Sequence, residues 1–220
     1  MKRYRSLLVG FGSVLGFVAL VVPAFAGPPL LCHAYDIGGA KSLPWVGQTS
    51  WFEGSPDYKL DRLVADTEAL LTPSTPVVVR METLRRAAIY ASADAHVAAV
   101  LVKRLINRAE ASEIAGRPDA LAHLDAAYFA GALNEIAMLA QWSKDFETKG
   151  AAAKAAIGGI DAYGLIMKSV AARPDDATIQ FAAALISNDA HRGEYAGHAA
   201  KARAGAASDP LLARNLDHVQ

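Results

Sequence analysis

Apolar residues recur at three- and four-residue spacing through most of the chain beyond residue 55, the period of helices that bury one stripe each. Ser55 with Pro56 reads as a helix start, and Leu60, Leu63, Val64, Thr67, Leu70 and Leu71 share a face before Thr72-Pro73 stops the run. Thr75-Pro76 repeats the start signal, and Val77, Met81, Leu84, Ala88 and Ala91 predict a second helix over 76–91. Between Ala93 and Ala115 the stripe is Val97, Val100, Leu101, Leu105 and Ile114, with the charged residues mainly elsewhere; Gly116 caps this helix and Pro118 forbids its return. A fourth helix, from Asp119 towards Trp142, presents Leu121, Leu124, Tyr128, Ala132, Leu133, Ile136 and Leu139, and its Ala126, Ala127, Ala130 and Gly131 invite a close neighbour.

The pattern lapses over residues 143–150, SKDFETKG, which read as a polar connection. A fifth helix is predicted over 151–172, bent at Gly158-Gly159, where each glycine costs about 1 kcal/mol relative to alanine. Pro174 with Asp175 or Asp176 restarts the chain into Ile179, Phe181, Leu185 and Ile186; a further helix covers 190–205, and Asp209-Pro210 opens a last short one. Short helices joined by proline and glycine turns make helical hairpins, so the fold class is all-α, an array of antiparallel helical hairpins over residues 55–220.

The first 54 residues follow another grammar. Lys2, Arg3 and Arg5, an apolar run from Leu7 to Val22, and Ala24-Phe25-Ala26 before Gly27 read as a signal peptide over 1–26, cut after Ala26. The run of 16 residues contains three glycines, short for a span of roughly 20, so no permanent membrane span is expected after cleavage. The destination is the periplasm or the extracellular space. Residues 27–54 carry Pro28, Pro29, Gly38, Gly39, Pro44, Gly47 and Gly54, a density that no regular helix tolerates. This irregular N-terminal arm holds Leu30, Leu31, Ile37, Leu43, Trp45, Trp51 and Phe52, and is expected to lie along the helical body.

Composition agrees with this plan. At 220 residues the chain can bury one core without disulfide or metal staples, and alanine, roughly a fifth of the chain, favours closely packed helices. Loss of Lys2, Arg3 and Arg5 leaves 19 basic residues against 22 acidic ones, a net charge of −3. With no basic stripe, nucleic acid is not an expected partner.

Residues 179–210 carry Leu185 early in a first helix, the turn Gly193-Glu194-Tyr195, a small-residue helix around Gly205 and the closing Asp209-Pro210. In these features, and in the separation of Tyr195 from Pro210, the segment resembles one degenerate tetratricopeptide repeat, which implies a helical-repeat fold that binds peptides or proteins. It departs from that family at Ile186, Asp189 and His198. GPPLLCH, SLPW and RMETLRRAAIYA together resemble exported bacterial proteins of no assigned activity, which implies the compartment alone.

The rare residues cluster in the arm. Cys32, the only cysteine, stands beside His33, a pairing that can ligate a transition metal or make a nucleophile and base. A tetrahedral site needs further ligands, and the other histidines show no HxxxH or HExxH spacing, so no metal is expected; if there is one, Cys32 and His33 are its ligands. Pro29 stands where a haem-attachment motif needs its first cysteine, and Leu31 where a lipidation site wants a small residue. A thiol packed with Leu30 and Leu31 against a helix is the plain reading, and a Cys32-linked dimer the next. Ile37 to Ser42 has glycines and a Lys-Ser pair, but lacks the first glycine of a phosphate loop and reads as a turn.

Arg80, Glu82, Arg85 and Arg86 form the densest charge cluster, with Glu82 three and four residues from Arg85 and Arg86. A solvated or salt-bridged face is one reading; an anchor for an acidic partner or for the returning arm, with Arg80 and Arg86 reaching its carbonyls, is the other. The candidate binding residues are Cys32, His33, Trp45, Arg80, Arg85 and Arg86, and no catalytic residue or cofactor is indicated. The expected function is that of an exported helical-repeat binding or scaffold protein for a peptide or protein partner. A metal-binding protein or enzyme centred on Cys32 and His33, and an envelope protein dimerising through Cys32, are the alternatives.

Overall fold

The computed structural model describes residues 29–46, 51–187 and 192–219. The signal peptide expected over 1–26 lies outside the described residues, as does the predicted helix start at Ala190. Among the described residues the chain is all-α, with nine α-helices and no strand: α1 Leu63–Leu70, α2 Val77–Ala91, α3 Ala95–Ile114, α4 Ala120–Leu139, α5 Glu147–Ile157, α6 Ala162–Ala172, α7 Ala177–Ser187, α8 Arg192–Gly205 and α9 Pro210–Arg214. Aspartates start five of them. The carboxylates of Asp94, Asp119, Asp161, Asp176 and Asp209 accept amide N–H bonds in the first turns of α3, α4, α6, α7 and α9, each such cap contributing about 1 kcal/mol.

The array is wrapped around α4. This helix is buried from Ala120 to Ile136 apart from Asn134, and α2, α3, α5, α6 and α7 all pack on it. Small side chains permit that crowding: a Cβ built on Gly150 of α5 would sit 2.2 Å from Ala140 Cβ and 3.2 Å from the Ile136 carbonyl oxygen. In α2, 13 of 15 residues are buried, so its polar side chains face protein on nearly every side. From the arm, Leu30, Leu31, Tyr35, Ile37 and Leu43 enter the same core, and Gly38, at φ +59°, turns the chain so that Ala40 N–H donates to Ile37 O.

Several boundaries differ from the sequence expectation. Ser55-Pro56 does not open a helix: Ser55 N–H donates to Tyr90 Oη at 2.7 Å, Tyr58 N–H returns to Ser55 O, and helix begins only with a 3-10 turn at Leu60–Arg62. The SKDFETKG connection is largely helical, a 3-10 turn at Lys144–Phe146 running into α5. Phe146 explains it, stacking on Trp51 with ring centroids 5.7 Å apart and burying an otherwise polar stretch. The bend at Gly158-Gly159 is a break: both glycines have positive φ, +51° and +82°, a region that cannot continue a right-handed helix. The segments on either side diverge by 59°. Ile114, placed on the apolar stripe of α3, is 88% exposed at that helix's end.

The segment read as repeat-like falls on α7, α8 and the start of α9. His198 is buried there, and its Nδ1 lies 2.6 Å from Gln180 Oε1, tying α8 to α7. No single helix among the described residues is long and apolar enough to cross a membrane; by length and composition only, the bent pair of 144–157 and 162–172 passes that test together.

Candidate functional site

Two arginine clusters dominate the polar chemistry of the body, and the first sits under the arm. Arg85 and Glu82 are both 0% exposed. Arg85 Nε and Nη2 donate to the two Glu82 oxygens at 2.8 and 2.9 Å, while Nη1 donates to the carbonyls of Leu31 and Trp51. Arg86 Nε donates to Glu82 Oε1 at 2.6 Å, and its Nη1 to Leu43 O at 2.6 Å. Glu82 Oε2 also accepts the Tyr35 N–H. The i,i+3 and i,i+4 pairings form, but the face is not solvated, because Arg85 and Glu82 are sealed under the arm. Burial pulls Arg85 down, yet the hydrogen bonds and charge of Glu82 outweigh it and leave its pKa raised.

Around this pair the arm is bonded at further points. Glu135 accepts the Leu30 N–H on both oxygens, at 3.1 and 3.0 Å, and the Tyr128 hydroxyl bridges Leu30 O and the Tyr35 hydroxyl, 2.8 Å from each. Trp45 lies over Arg85, whose guanidinium carbon is 4.8 Å from the ring centroid, and Tyr90 Oη donates to Pro44 O. From the other end of the chain, Asn215 Nδ2 donates to Asp36 O and its Oδ1 accepts the Asp36 N–H.

Cys32 and His33 are placed apart in chemistry. Cys32 is half-buried, and burial, then the charge of Glu135, against the pull of Arg85, pushes its thiol up to about 11. At neutral pH it is a thiol, not the thiolate that attacks or ligates. His33 is exposed and meets His218 edge-on, centroids 5.9 Å apart; His218 stacks on Tyr35 at 4.7 Å, and burial, then His33, pulls it down to about 4. No group of three or more His, Cys, Asp or Glu side chains able to hold a metal occurs among the described residues.

The second cluster is open. Where the N-terminal end of α4 meets α2, α3 and the end of α6, a cleft of about 480 Å³ is lined by Arg80, Arg108, Arg117 and Arg173, together with Pro118 and Asp119. Arg80 does not reach the arm: its Nε and Nη2 donate to Thr75 O and Thr72 O in the α1–α2 loop, where they close the entry to α2. Arg80 Nη1 and Arg108 Nη2 both donate to one oxygen of Asp125, Oδ2. Asp125 is fully buried, and its Oδ1 and the buried Nε of Arg108 have no hydrogen-bond partner. Burial pushes the Asp125 carboxyl up to about 6 against the pull of Arg80 and Arg108. Arg117 is exposed, and Arg173 is 50% exposed with Nη1 3.9 Å from Asp176 Oδ2.

Beyond Pro118 the wall is self-neutralised. Glu113 Oε1 lies 2.7 Å from His123 Nε2 and 2.9 Å from Lys168 Nζ, which together hold Glu113 below the usual carboxylate range, Lys168 most strongly. Of the residues around the cleft, only Arg80 is legible from the local charge cluster. Arg108, Arg117, Arg173 and Asp125 come from separate helices and turns, with no common spacing to betray them. No family model, curated protein or solved structure matches the chain.

Proposed function

We propose that the protein is an exported binding or scaffold module that receives an acidic segment of a peptide or protein partner in the cleft at the N-terminal end of α4. The observation that supports this reading is the set of guanidinium groups standing in an open cleft. Arg117 has no ion-pair partner among the described residues, and Arg173 has a long one. Such unspent charge steers an oppositely charged partner and favours its docking. The tetratricopeptide-like hairpin of α7 and α8 and the export signal belong to the same proposal.

The two readings centred on the arm draw less support. A thiol held at high pKa, with no hydrogen bond joining it to His33, is poorly suited to catalysis or metal binding. A Cys32-linked dimer requires the half-buried sulfur to be uncovered; a monomeric band on non-reducing electrophoresis counts against it. The test of the main reading is chemical cross-linking in native envelope, comparing the wild type with Arg117→Ala/Arg173→Ala. A partner whose cross-links map to the α3–α4 turn and the end of α6, and which is lost from the double variant, supports the reading. Partners retained by the variant, or mapping elsewhere, contradict it. Mass spectrometry of the envelope protein should find Gly27 at the N-terminus, and retention of residues 1–26 would overturn the export assignment.

A further inference from the structure

We infer that this cleft contains a discrete subsite for a phosphoryl group, in which Arg117 and Arg173 close over an oxyanion resting against Arg80 and Arg108. The inference rests on the reading of this cleft as the binding face and adds the chemistry of the group it takes.

Three observations carry it. The first is convergence: arginines from four separate places, α2, α3, the α3–α4 turn and the end of α6, line one cleft. A carboxylate offers oxygens in one plane, which suits one or two forks, whereas a tetrahedral oxyanion presents several oxygens in different directions and can accept from several guanidinium groups at once.

The second is charge. Asp125 behind the cleft, Asp119 at its edge and Asp176, 3.9 Å from Arg173, offset three of the four cations. One oxygen of Asp119 is already taken by the Leu121 and Ala122 amides, and Oδ1 of Asp176 by α7. A cleft with a small net positive charge remains, carried by the arginines, since the first-turn amides of α4 are already capped by Asp119.

The third is accessibility: Arg108 and Arg173 line the cleft with side chains 36% and 50% exposed, and Arg117 is exposed with no ion-pair partner among the described residues. Asp125 takes no part in holding the anion. It aims Arg80 and Arg108 by binding both through Oδ2.

The experiment is isothermal titration of the mature chain with inorganic phosphate at constant ionic strength, using Arg117→Ala/Arg173→Ala and the control Arg104→Ala. Both cleft arginines are solvent-facing, and Arg104 pairs on the surface with Glu68, so all three chains should fold. The expected result is saturable one-site binding by the wild type and by Arg104→Ala. Binding roughly a hundredfold weaker is expected in the double variant, since it loses two charged hydrogen bonds, each worth about tenfold. Non-saturable binding, or equal affinity in the double variant, overturns the inference.

A glutamate-rich peptide and a phosphoserine peptide separate this inference from the partner reading. Capture of the glutamate peptide in an Arg117- and Arg173-dependent way, without phosphate binding, removes the phosphoryl subsite and leaves the acidic-partner reading standing. Phosphate binding with neither peptide bound keeps the subsite and removes the peptide partner.

Discussion

Glu82 and Asp125 make the instructive comparison: each is a fully buried carboxylate that binds two arginines, yet one assembly is complete and the other is not. Both oxygens of Glu82 are bonded, by Arg85, Arg86 and the Tyr35 amide, and the outer N–H groups of those arginines end on carbonyls of residues 31, 43 and 51. At Asp125 both arginines converge on one oxygen, the other has no partner, and Arg108 keeps a buried donor unused. A buried ion pair offsets its desolvation only when its remaining hydrogen-bonding capacity is met. The Glu82 cluster meets that condition internally and clamps the arm. The Asp125 cluster does not meet it, since Asp125 Oδ1 and Arg108 Nε stay unpaired inside the protein beneath the cleft that Arg80 and Arg108 line.

The largest effect that could break this comparison is removal of Glu82. Glu82→Ala strands Arg85 in the core and should cost about 3–5 kcal/mol in urea unfolding; a loss below about 1 kcal/mol would mean that the clamp does not hold the arm. Next comes Cys32, which lies beside this clamp with its thiol pushed from 9.0 to about 11. Its alkylation by iodoacetamide at pH 8 should be roughly a hundredfold slower than that of an unperturbed thiol, and a rate equal to the free thiol would show the arm to be open.

Tyr128→Phe removes the hydroxyl that bridges Leu30 and Tyr35 and should cost about 1–2 kcal/mol, read from the same unfolding curves. At the cleft the signature is pH dependence. The folded pKa of Asp125 is raised from 3.8 to about 6, so its stabilising contribution is full below pH 4 and is lost as pH rises through 6. The stability of the wild type relative to Asp125→Asn should therefore grow by on the order of 1 kcal/mol from pH 7 to pH 5; a flat difference would contradict a buried, ionising Asp125. Smallest of all, Arg117→Ala and Arg173→Ala should each change stability by less than about 0.5 kcal/mol, because neither is spent on the fold.

The sequence discloses some of this and hides the rest for identifiable reasons. The all-α class is legible because Pro76, Pro118, Asp119, Asp209 and Pro210 punctuate the helices locally. The start of α5 is not, since it depends on Phe146 finding Trp51 and Phe52, far away in the chain. The spacing of Glu82, Arg85 and Arg86 announces their pairing but not their burial, which comes from an arm some forty residues upstream. Arg80, read together with that cluster, belongs to the cleft instead. Val79, Arg80 and Glu82 are all buried on α2, so helical periodicity no longer separates an inward face from an outward one. The cleft arginines share no local pattern at all, because only the packing of α2, α3, α4 and α6 brings them together.

The most direct measurement is NMR of the arginine Nε–H groups while inorganic phosphate is added to the protein at constant ionic strength. Saturable shifts at Arg80, Arg108, Arg117 and Arg173, with Arg85 and Arg86 unmoved, are the predicted result. Equal, unsaturating drift across all surface arginines, or a response at Arg85 and Arg86, would contradict the distinction between a completed clamp and an open site.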